Sequence, residues 1–298
     1  MKRTNIFIMM AVLLTACGHR ASQQGAVEND SDSVAVAFQV DSISTEREDT
    51  MASVTISIDW PTSGSDSLVQ SIRQYLCEEL ATSPIQEGEP TVKFYDDGKK
   101  AIKATADNRY EELIASWKET QANGLPVMEY SFFLHSMLLE DGGQYVTYLT
   151  KSEGFLGGAH GFATATGQTF RKSDGKRIGY RTAYNRKTET FELKDQTLFK
   201  DPTSPQLYAL IKEGVRSYFQ DFDEPVASDE QLKDMLISVD DVNRIPLPSA
   251  PPTFRKNGLS FLYQQYEIAP YAAGMVNFDI PYDKVRPFLT AEAAALIP

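Results

Sequence analysis

Hydrophobic and polar side chains alternate in several short stretches of the chain, as they do in β-strands that have one buried face. The first of these stretches covers residues 53–59, and a longer one begins at Val127 and reaches a glycine-rich turn at residues 141–143. This turn is typical of a β-hairpin, so we expect a return strand after it. The same alternation predicts further strands at 162–170, 259–263 and 275–280.

Between these stretches, apolar residues recur at steps of three and four positions, which is the spacing of amphipathic helices. This spacing predicts one helix that begins near Ser65 and stops before Pro84, and a second from about residue 99 to 120. A third helix is expected to start at residues 204–205, where a serine precedes a proline. The capping-box pattern at residues 228–231 predicts a fourth, short helix.

The order of these elements indicates an α+β fold and not a doubly wound one. The predicted hairpin carries large side chains on both faces, so we expect antiparallel sheets with helices packed on one face. Two small subdomains are expected, because the second half of the chain repeats the succession of strands and helices. His135 belongs to an aromatic-rich strand of the hairpin and is predicted to pack in or beside the core.

The start of the chain has the pattern of a bacterial lipoprotein signal. Lys2 and Arg3 precede nine apolar residues at positions 6–14, and a lipobox ends at Cys17. A run this short cannot cross a hydrocarbon core about 30 Å thick as a helix, so residues 1–16 are predicted to be a cleaved signal peptide. Cys17 is then the lipidated residue that holds the protein on the membrane. The alternative is an ordinary signal peptide with an incidental cysteine.

Residues 17–49 contain few large apolar side chains and many polar ones, so they are predicted to be a flexible tether. The tether would keep the folded part clear of the lipid headgroups. No acidic cluster follows Cys17 directly. We therefore expect a cell-envelope protein that is lipid-anchored and faces the periplasm.

The charge balance excludes one class of partner. The chain has 298 residues, with 29 basic and 41 acidic side chains and a formal charge of −12. Removal of residues 1–16 takes away two basic side chains and no acid, so the remaining chain carries −14. Such a protein offers no broad phosphate-binding surface, so nucleic acid is not expected as a partner. A cationic protein would instead be attracted.

The chain has few of the residues and motifs that form metal or catalytic centres. It has two cysteines and three histidines, too few for a disulfide framework or a histidine-rich metal site. The motifs of serine hydrolases, zinc proteases and phosphate-binding loops do not occur. We therefore predict no metal, no cofactor and no catalytic residue. A glycosidase needs only two well-placed carboxylates, and the many acidic residues leave that mechanism open.

Two segments carry the candidate binding residues. Residues 157–161 are the densest glycine cluster and contain His160. They form either a ligand loop or a tight strand crossover with His160 bonded to the backbone. The second segment, residues 263–274, contains the candidates Tyr266, Glu267 and Tyr271. Tyrosines beside an acid suit a sugar or a cationic protein surface, and the alternative is that they cap the open end of the sheet.

These segments also carry a resemblance to a known family. Gly157-Gly158-Ala159-His160-Gly161, followed by Tyr266-Glu267-Ile268-Ala269-Pro270-Tyr271-Ala272-Ala273-Gly274, resembles the RsiV-like C-terminal domain, in the version common in lipoproteins of Bacteroidetes. The preceding region is similar to the PdaC-like domain. The resemblance implies the following organisation: signal peptide at 1–16, tether at 17–49, PdaC-like domain at 50–154 and RsiV-like domain at 155–298.

The resemblance also implies a function. RsiV is a transmembrane anti-sigma factor whose extracellular part binds lysozyme, and PdaC is a peptidoglycan deacetylase. This chain is expected to lack both the anti-sigma segment and the catalytic deacetylase domain. We therefore expect a non-enzymatic binding module of the cell envelope, with lysozyme, another cationic protein or peptidoglycan as its partner. The alternative is an enzyme that modifies peptidoglycan or another glycan by a mechanism that the motifs do not show.

Overall fold

The strands and helices lie close to the positions that the local sequence patterns predict. The computed structural model describes residues 36–82, 90–185, 187, 190–221 and 226–297, which belong to one compact unit. The predicted signal peptide, Cys17 and the first part of the predicted tether lie outside the described residues. Within the described ranges, no helix is both long enough and apolar enough to cross a membrane.

In the described part of the chain, the larger sheet has six strands in the spatial order β1-β2-β3-β4-β5-β6. They are β1 (Gln39–Glu48), β2 (Ala52–Ser63), β3 (Tyr130–Asp141), β4 (Tyr145–Phe155), β5 (Phe162–Arg171) and β6 (Arg177–Ile178). Neighbouring strands pair antiparallel, except that β2 and β3 run parallel. This parallel pair was not predicted. It arises because α1 (Asp66–Ala81) and α2 (Gly98–Ala122) connect the two strands and return the chain to the same end of the sheet.

Helices α1 and α2 cover one face of the large sheet, as predicted. On β2, Val54, Ile56 and Ile58 are buried, whereas the residues between them are only half-buried. Tyr75 of α1 packs edge-on against Tyr148 of β4, with the ring centroids 6.5 Å apart. The alternating residues of the strands therefore pack against the apolar stripes of the helices, which is the arrangement that both periodicities require.

The second half of the chain packs against the other face of β4 and β5. It contains β7 (Arg181–Asn185), β8 (Thr190–Lys194), the small sheet of β9 (Thr253–Phe254), β10 (Gly258–Leu262) and β11 (Asn277–Pro281), and the helices α3 (Pro205–Tyr218), α4 (Asp229–Met235), α5 (Tyr282–Val285) and α6 (Ala291–Ala294). Ser228 and Gln231 form the predicted capping box of α4. Thr147 Oγ1 donates to the carbonyl of Phe254 at 2.8 Å, and Thr169 Oγ1 accepts from its N–H at 3.1 Å. These bonds join the two sheets.

The predicted fold class is confirmed: the structure is α+β, with packed helices and with sheets that are antiparallel apart from the β2–β3 pair. One hydrophobic cluster uses residues between 52 and 170, and a second uses residues between 145 and 297. The predicted domain boundary after residue 154 falls at the end of β4, which pairs with β5 over their whole length. The two clusters therefore lie on opposite faces of one continuous sheet.

Residues 39–48, predicted as part of the tether, form β1 instead. This strand pairs with β2 up to the turn at Asp49. None of its side chains is fully buried, and only alternate ones, such as Ile43 and Thr45, are half-buried. Because β1 is held by backbone hydrogen bonds at the edge of a sheet, its sequence does not need the apolar residues that mark a buried strand.

Candidate functional site

The loop between β4 and β5 presents His160 to solvent. Gly157, at its start, has a φ of +86°, and a Cβ added there would lie 2.5 Å from the Oη of Tyr130, so the position requires glycine. His160 Nδ1 lies 2.7 Å from the carbonyl oxygen of Gly161. The bond to the backbone was one of the two expectations for His160, but the loop joins neighbouring antiparallel strands and is a hairpin loop, not a strand crossover, and the imidazole is exposed. The hairpin loop therefore holds the histidine in solvent.

Tyr266 projects from a tight turn between β10 and β11. Its φ is +64°, a region that costs energy for a residue with a side chain. The N–H of Glu267 donates to the carbonyl of Gln264 at 3.1 Å, which closes the turn. The side chain of Tyr266 is 53% exposed. The strained turn therefore holds an aromatic ring in solvent.

Three aromatic rings meet at this surface. His160 stacks on Tyr271, with the ring centroids 4.2 Å apart and the planes inclined by 27°. The ring of Tyr266 lies 5.8 Å from that of Tyr271 and 6.5 Å from that of His160. Tyr271 Oη donates to the carbonyl of Gly161 at 3.4 Å. This bond connects residues 263–274, the tyrosine segment, to residues 157–161, the glycine loop. We call His160, Tyr266 and Tyr271 the aromatic cluster.

Glu267, the fourth predicted binding residue, holds the backbone around the cluster. Its Oε1 accepts from the N–H of Ser249 at 2.5 Å, and its Oε2 accepts from the N–H of Gln264 at 2.7 Å. Burial raises the pKa of this carboxyl, and the two backbone hydrogen bonds act in the opposite direction. Glu267 therefore joins the proline-rich loop to the turn of Tyr266, which makes it a positioning residue for the cluster.

A cleft of about 230 Å³ lies between the large sheet and the small sheet. A Cβ added at Gly167 would lie 2.3 Å from the Cγ2 of Thr253, so glycine allows the sheets to approach here. Lys151 and Arg255 line the cleft, and no Asp or Glu is among its described lining residues. Arg255 Nε has no hydrogen-bond partner among the described residues, and Glu140, 3.8 Å away, is its nearest acid. Sequence reasoning missed this cleft.

Strand β5 connects the aromatic cluster to the cleft. Gln264, in the tyrosine segment, accepts from the N–H of Ala165 at 3.0 Å and donates to its carbonyl at 2.6 Å. Residues 162–167 lead from the glycine loop to Gly167, a distance of roughly 17 Å at about 3.3 Å per residue. In the described part of the chain, no three His, Cys, Asp or Glu side chains are grouped to hold a metal ion.

Residues 196–283 match a family described as a protein of unknown function, DUF3298. The chain contains a DUF3298 domain. This domain supplies Tyr266, Glu267 and Tyr271, together with Arg255 of the cleft. Lys151 comes from β4 and His160 from the loop after it, and both precede the domain. The candidate site is therefore assembled between the DUF3298 domain and the large sheet.

Two solved structures share the fold around the DUF3298 domain. A member of the DUF3298 family from Bacteroides fragilis NCTC 9343 is 18% identical, with a TM-score of 0.64 over 86% of this chain and 95% of that chain. A DUF3298 family protein from Pseudomonas aeruginosa PAO1 is 13% identical, with a TM-score of 0.53 over 88% and 97%. No curated protein sequence matches this chain. The RsiV-like and PdaC-like resemblances stay predictions.

Proposed function

We propose that this protein is a non-enzymatic, lipid-anchored binding protein of the cell envelope and that its ligand is a fragment of peptidoglycan. The aromatic cluster carries the proposal. Exposed tyrosine and histidine rings combine an apolar face with polar edges, which suits the faces of sugar rings. The hydrogen bond from Tyr271 to Gly161 and the two hydrogen bonds that the Glu267 carboxylate accepts from backbone N–H groups hold the cluster in place. Binding therefore does not have to order these side chains.

The charges of the cleft support an anionic ligand. Lys151 and Arg255 line it, and the nearest acid to Arg255, Glu140 at 3.8 Å, lies outside the lining, although the chain as a whole carries −12. Peptidoglycan fragments carry carboxylates on their peptide stems, so a sugar on the cluster and a carboxylate in the cleft can bind together. A cationic protein would be attracted by the net charge at long range, but it would meet two cations at the cleft.

Loss of one ring from the cluster is expected to weaken binding of muropeptides about fivefold, because a stacked aromatic ring contributes on the order of 1 kcal/mol. We expect this result for Tyr271→Ala and for His160→Ala. Calorimetric titration of the protein with purified muropeptides measures the effect. Phe94→Ala is the matched control, because Phe94 is also exposed, at 62%, but lies beside α1 on the other face of the large sheet.

Three outcomes would contradict the proposal. Absence of muropeptide binding to the unchanged protein would remove the glycan ligand, and tight binding of lysozyme in the same assay would replace it with a cationic protein. Equal weakening by Phe94→Ala would show that the cluster is not the binding surface. Cleavage or deacetylation of the muropeptides, read by mass spectrometry, would make the protein an enzyme.

The lipid anchor is tested separately. Cys17→Ser is expected to move the protein from the membrane fraction to the soluble fraction, because a serine cannot form the thioether to the lipid. Cys77→Ser is the control, because Cys77 is a free cysteine on the buried side of α1, and this variant is expected to leave the protein on the membrane. Membrane association of the Cys17→Ser protein would contradict the anchor.

A further inference from the structure

The strand β1 has a free backbone edge. Among the strands that the structure describes, β1 neighbours β2 alone in the large sheet. At their turn, the N–H of Asp49 donates to the carbonyl of Ala52 at 2.9 Å, so these two residues form a hydrogen-bonded pair. Such pairs alternate along antiparallel strands. The odd-numbered residues of β1 therefore bond to β2, and Ser42, Ser44 and Glu46 direct their N–H and C=O groups outward.

This edge lacks two of the features that usually protect an edge strand, proline and lysine, although four of the ten residues of β1 carry a charge. Within the described ranges, no backbone group pairs with the outward groups of Ser42, Ser44 or Glu46. The strand contains no proline and no lysine, and its register is regular from Val40 to Glu48. Proteins that leave such an edge open commonly use it to pair with another strand.

A groove of about 940 Å³ runs along the same edge, between β1 and α2. Ile43 and Thr45 of β1 line it together with Ile102 of α2, and Lys99 and Lys103 stand at its α2 side. In an added strand, alternate side chains would point into this groove, because side chains in a strand alternate between the two faces. The edge therefore offers both backbone partners and space for side chains.

We propose that β1 pairs antiparallel with β1 of a second copy of this chain, about a two-fold axis at Ser44. In this register Asp41 lies opposite the partner's Arg47, and Ile43 lies opposite the partner's Thr45. Within each chain Arg47 already pairs with Asp107 of α2 at 2.9 Å, so Asp41 of the other copy adds a second acid beside it. Opposite charges across a strand pair are stabilising, and like charges are not. An axis at Thr45 would place Asp41 against the partner's Asp49, and an axis at Ile43 would place Arg47 against the partner's Gln39. The charges of β1 thus select the axis at Ser44.

The proposed interface is isologous, so each feature occurs twice. The outward N–H and C=O groups of Ser42, Ser44 and Glu46 bond to those of the partner's Glu46, the partner's Ser44 and the partner's Ser42. The large sheets of the two copies then form one continuous sheet. This pairing uses neither the aromatic cluster nor the cleft, so it is independent of the proposed function.

Ser44→Pro tests the pairing, because it removes an N–H that points outward and leaves the bonds to β2 in place. Sedimentation velocity on the chain from residue 18 onward is expected to show a reversible dimer. Ser44→Pro is expected to raise its dissociation constant at least about tenfold, since two central hydrogen bonds are lost per dimer. Ser44→Ala keeps the N–H and is expected to dimerise like the unchanged chain.

Two further variants examine the register. Asp41→Arg places two arginines opposite each other and is expected to weaken the dimer about fivefold or more, whether or not Ser44→Pro folds. Spin labels on Ser44→Cys are expected to lie close together across the axis in the dimer. A chain that stays monomeric at high concentration would overturn the proposal. So would a dimer that Ser44→Pro or Asp41→Arg leaves unchanged, or one in which the labels lie far apart.

Discussion

Phe254→Ala is expected to lower the free energy of unfolding by about 3–5 kcal/mol, the usual range for a buried phenylalanine. Phe254 is fully buried between the two sheets. Its ring lies 5.4 Å from the ring of Tyr145 and 6.2 Å from that of Tyr282. These neighbours belong to different parts of the chain and are held by hydrogen bonds from their own hydroxyls to the carbonyl of Arg255. They cannot easily collapse into the space that the ring leaves, so the cavity persists.

Urea unfolding followed by tryptophan fluorescence and by circular dichroism measures the effect. Both tryptophans, Trp60 and Trp117, lie in the part of the chain that forms the large sheet and its helices, so their fluorescence reports on the core on the far side from Phe254. If the two clusters unfold together, both signals shift by the same amount. The exposed Phe133→Ala is the control and is expected to change stability by less than about 0.5 kcal/mol. A shift in circular dichroism alone would show that the clusters unfold separately.

Much of the secondary structure could be predicted because it depends on local periodicity. Alternation identified β2, and three- and four-residue steps identified α1 and α3, with the start of α3 marked by the proline after Ser204. The parallel pairing of β2 with β3 has no local signal, because it depends on where two helices return the chain. β1 was missed since its stability comes from backbone pairing at an edge. His135 was predicted to lie in or beside the core, but it is on the exposed side of β3.

The candidate site was predictable in its aromatic part. The glycine loop and the tyrosine segment identified His160, Tyr266 and Tyr271, and the structure brings these rings together. Glu267 was predicted with them because it is adjacent in sequence, but its carboxylate bonds to backbone amides. The cleft was missed because Lys151 and Arg255 are far apart in the sequence. Gly167 was its one local signal, since a glycine inside a strand often marks the close approach of another backbone.

Glu79→Gln is expected to stabilise the protein at pH 8 by about 2–3 kcal/mol and to flatten its stability between pH 5 and 7. Glu79 lies on α1, and its Oε2 accepts from Thr166 Oγ1 at 3.0 Å. Burial raises the pKa of this carboxyl from 4.5 to about 7, and the charge of Glu78 adds to the shift. The hydrogen bond from Thr166 and the charge of Arg177 oppose it. A glutamine keeps an oxygen that can accept from Thr166 and has no proton to lose.

The direction of the pH dependence follows from the order of the two pKa values. In the unfolded chain Glu79 releases its proton near pH 4.5, but in the folded protein only near pH 7. Between these values the unfolded state binds fewer protons, so stability falls as the pH rises and levels off above about pH 7. Urea unfolding of both proteins at pH 5 and pH 8 measures the difference, with the exposed Glu111→Gln as control. An equal difference at both pH values would mean that Glu79 is ionised in the folded protein throughout.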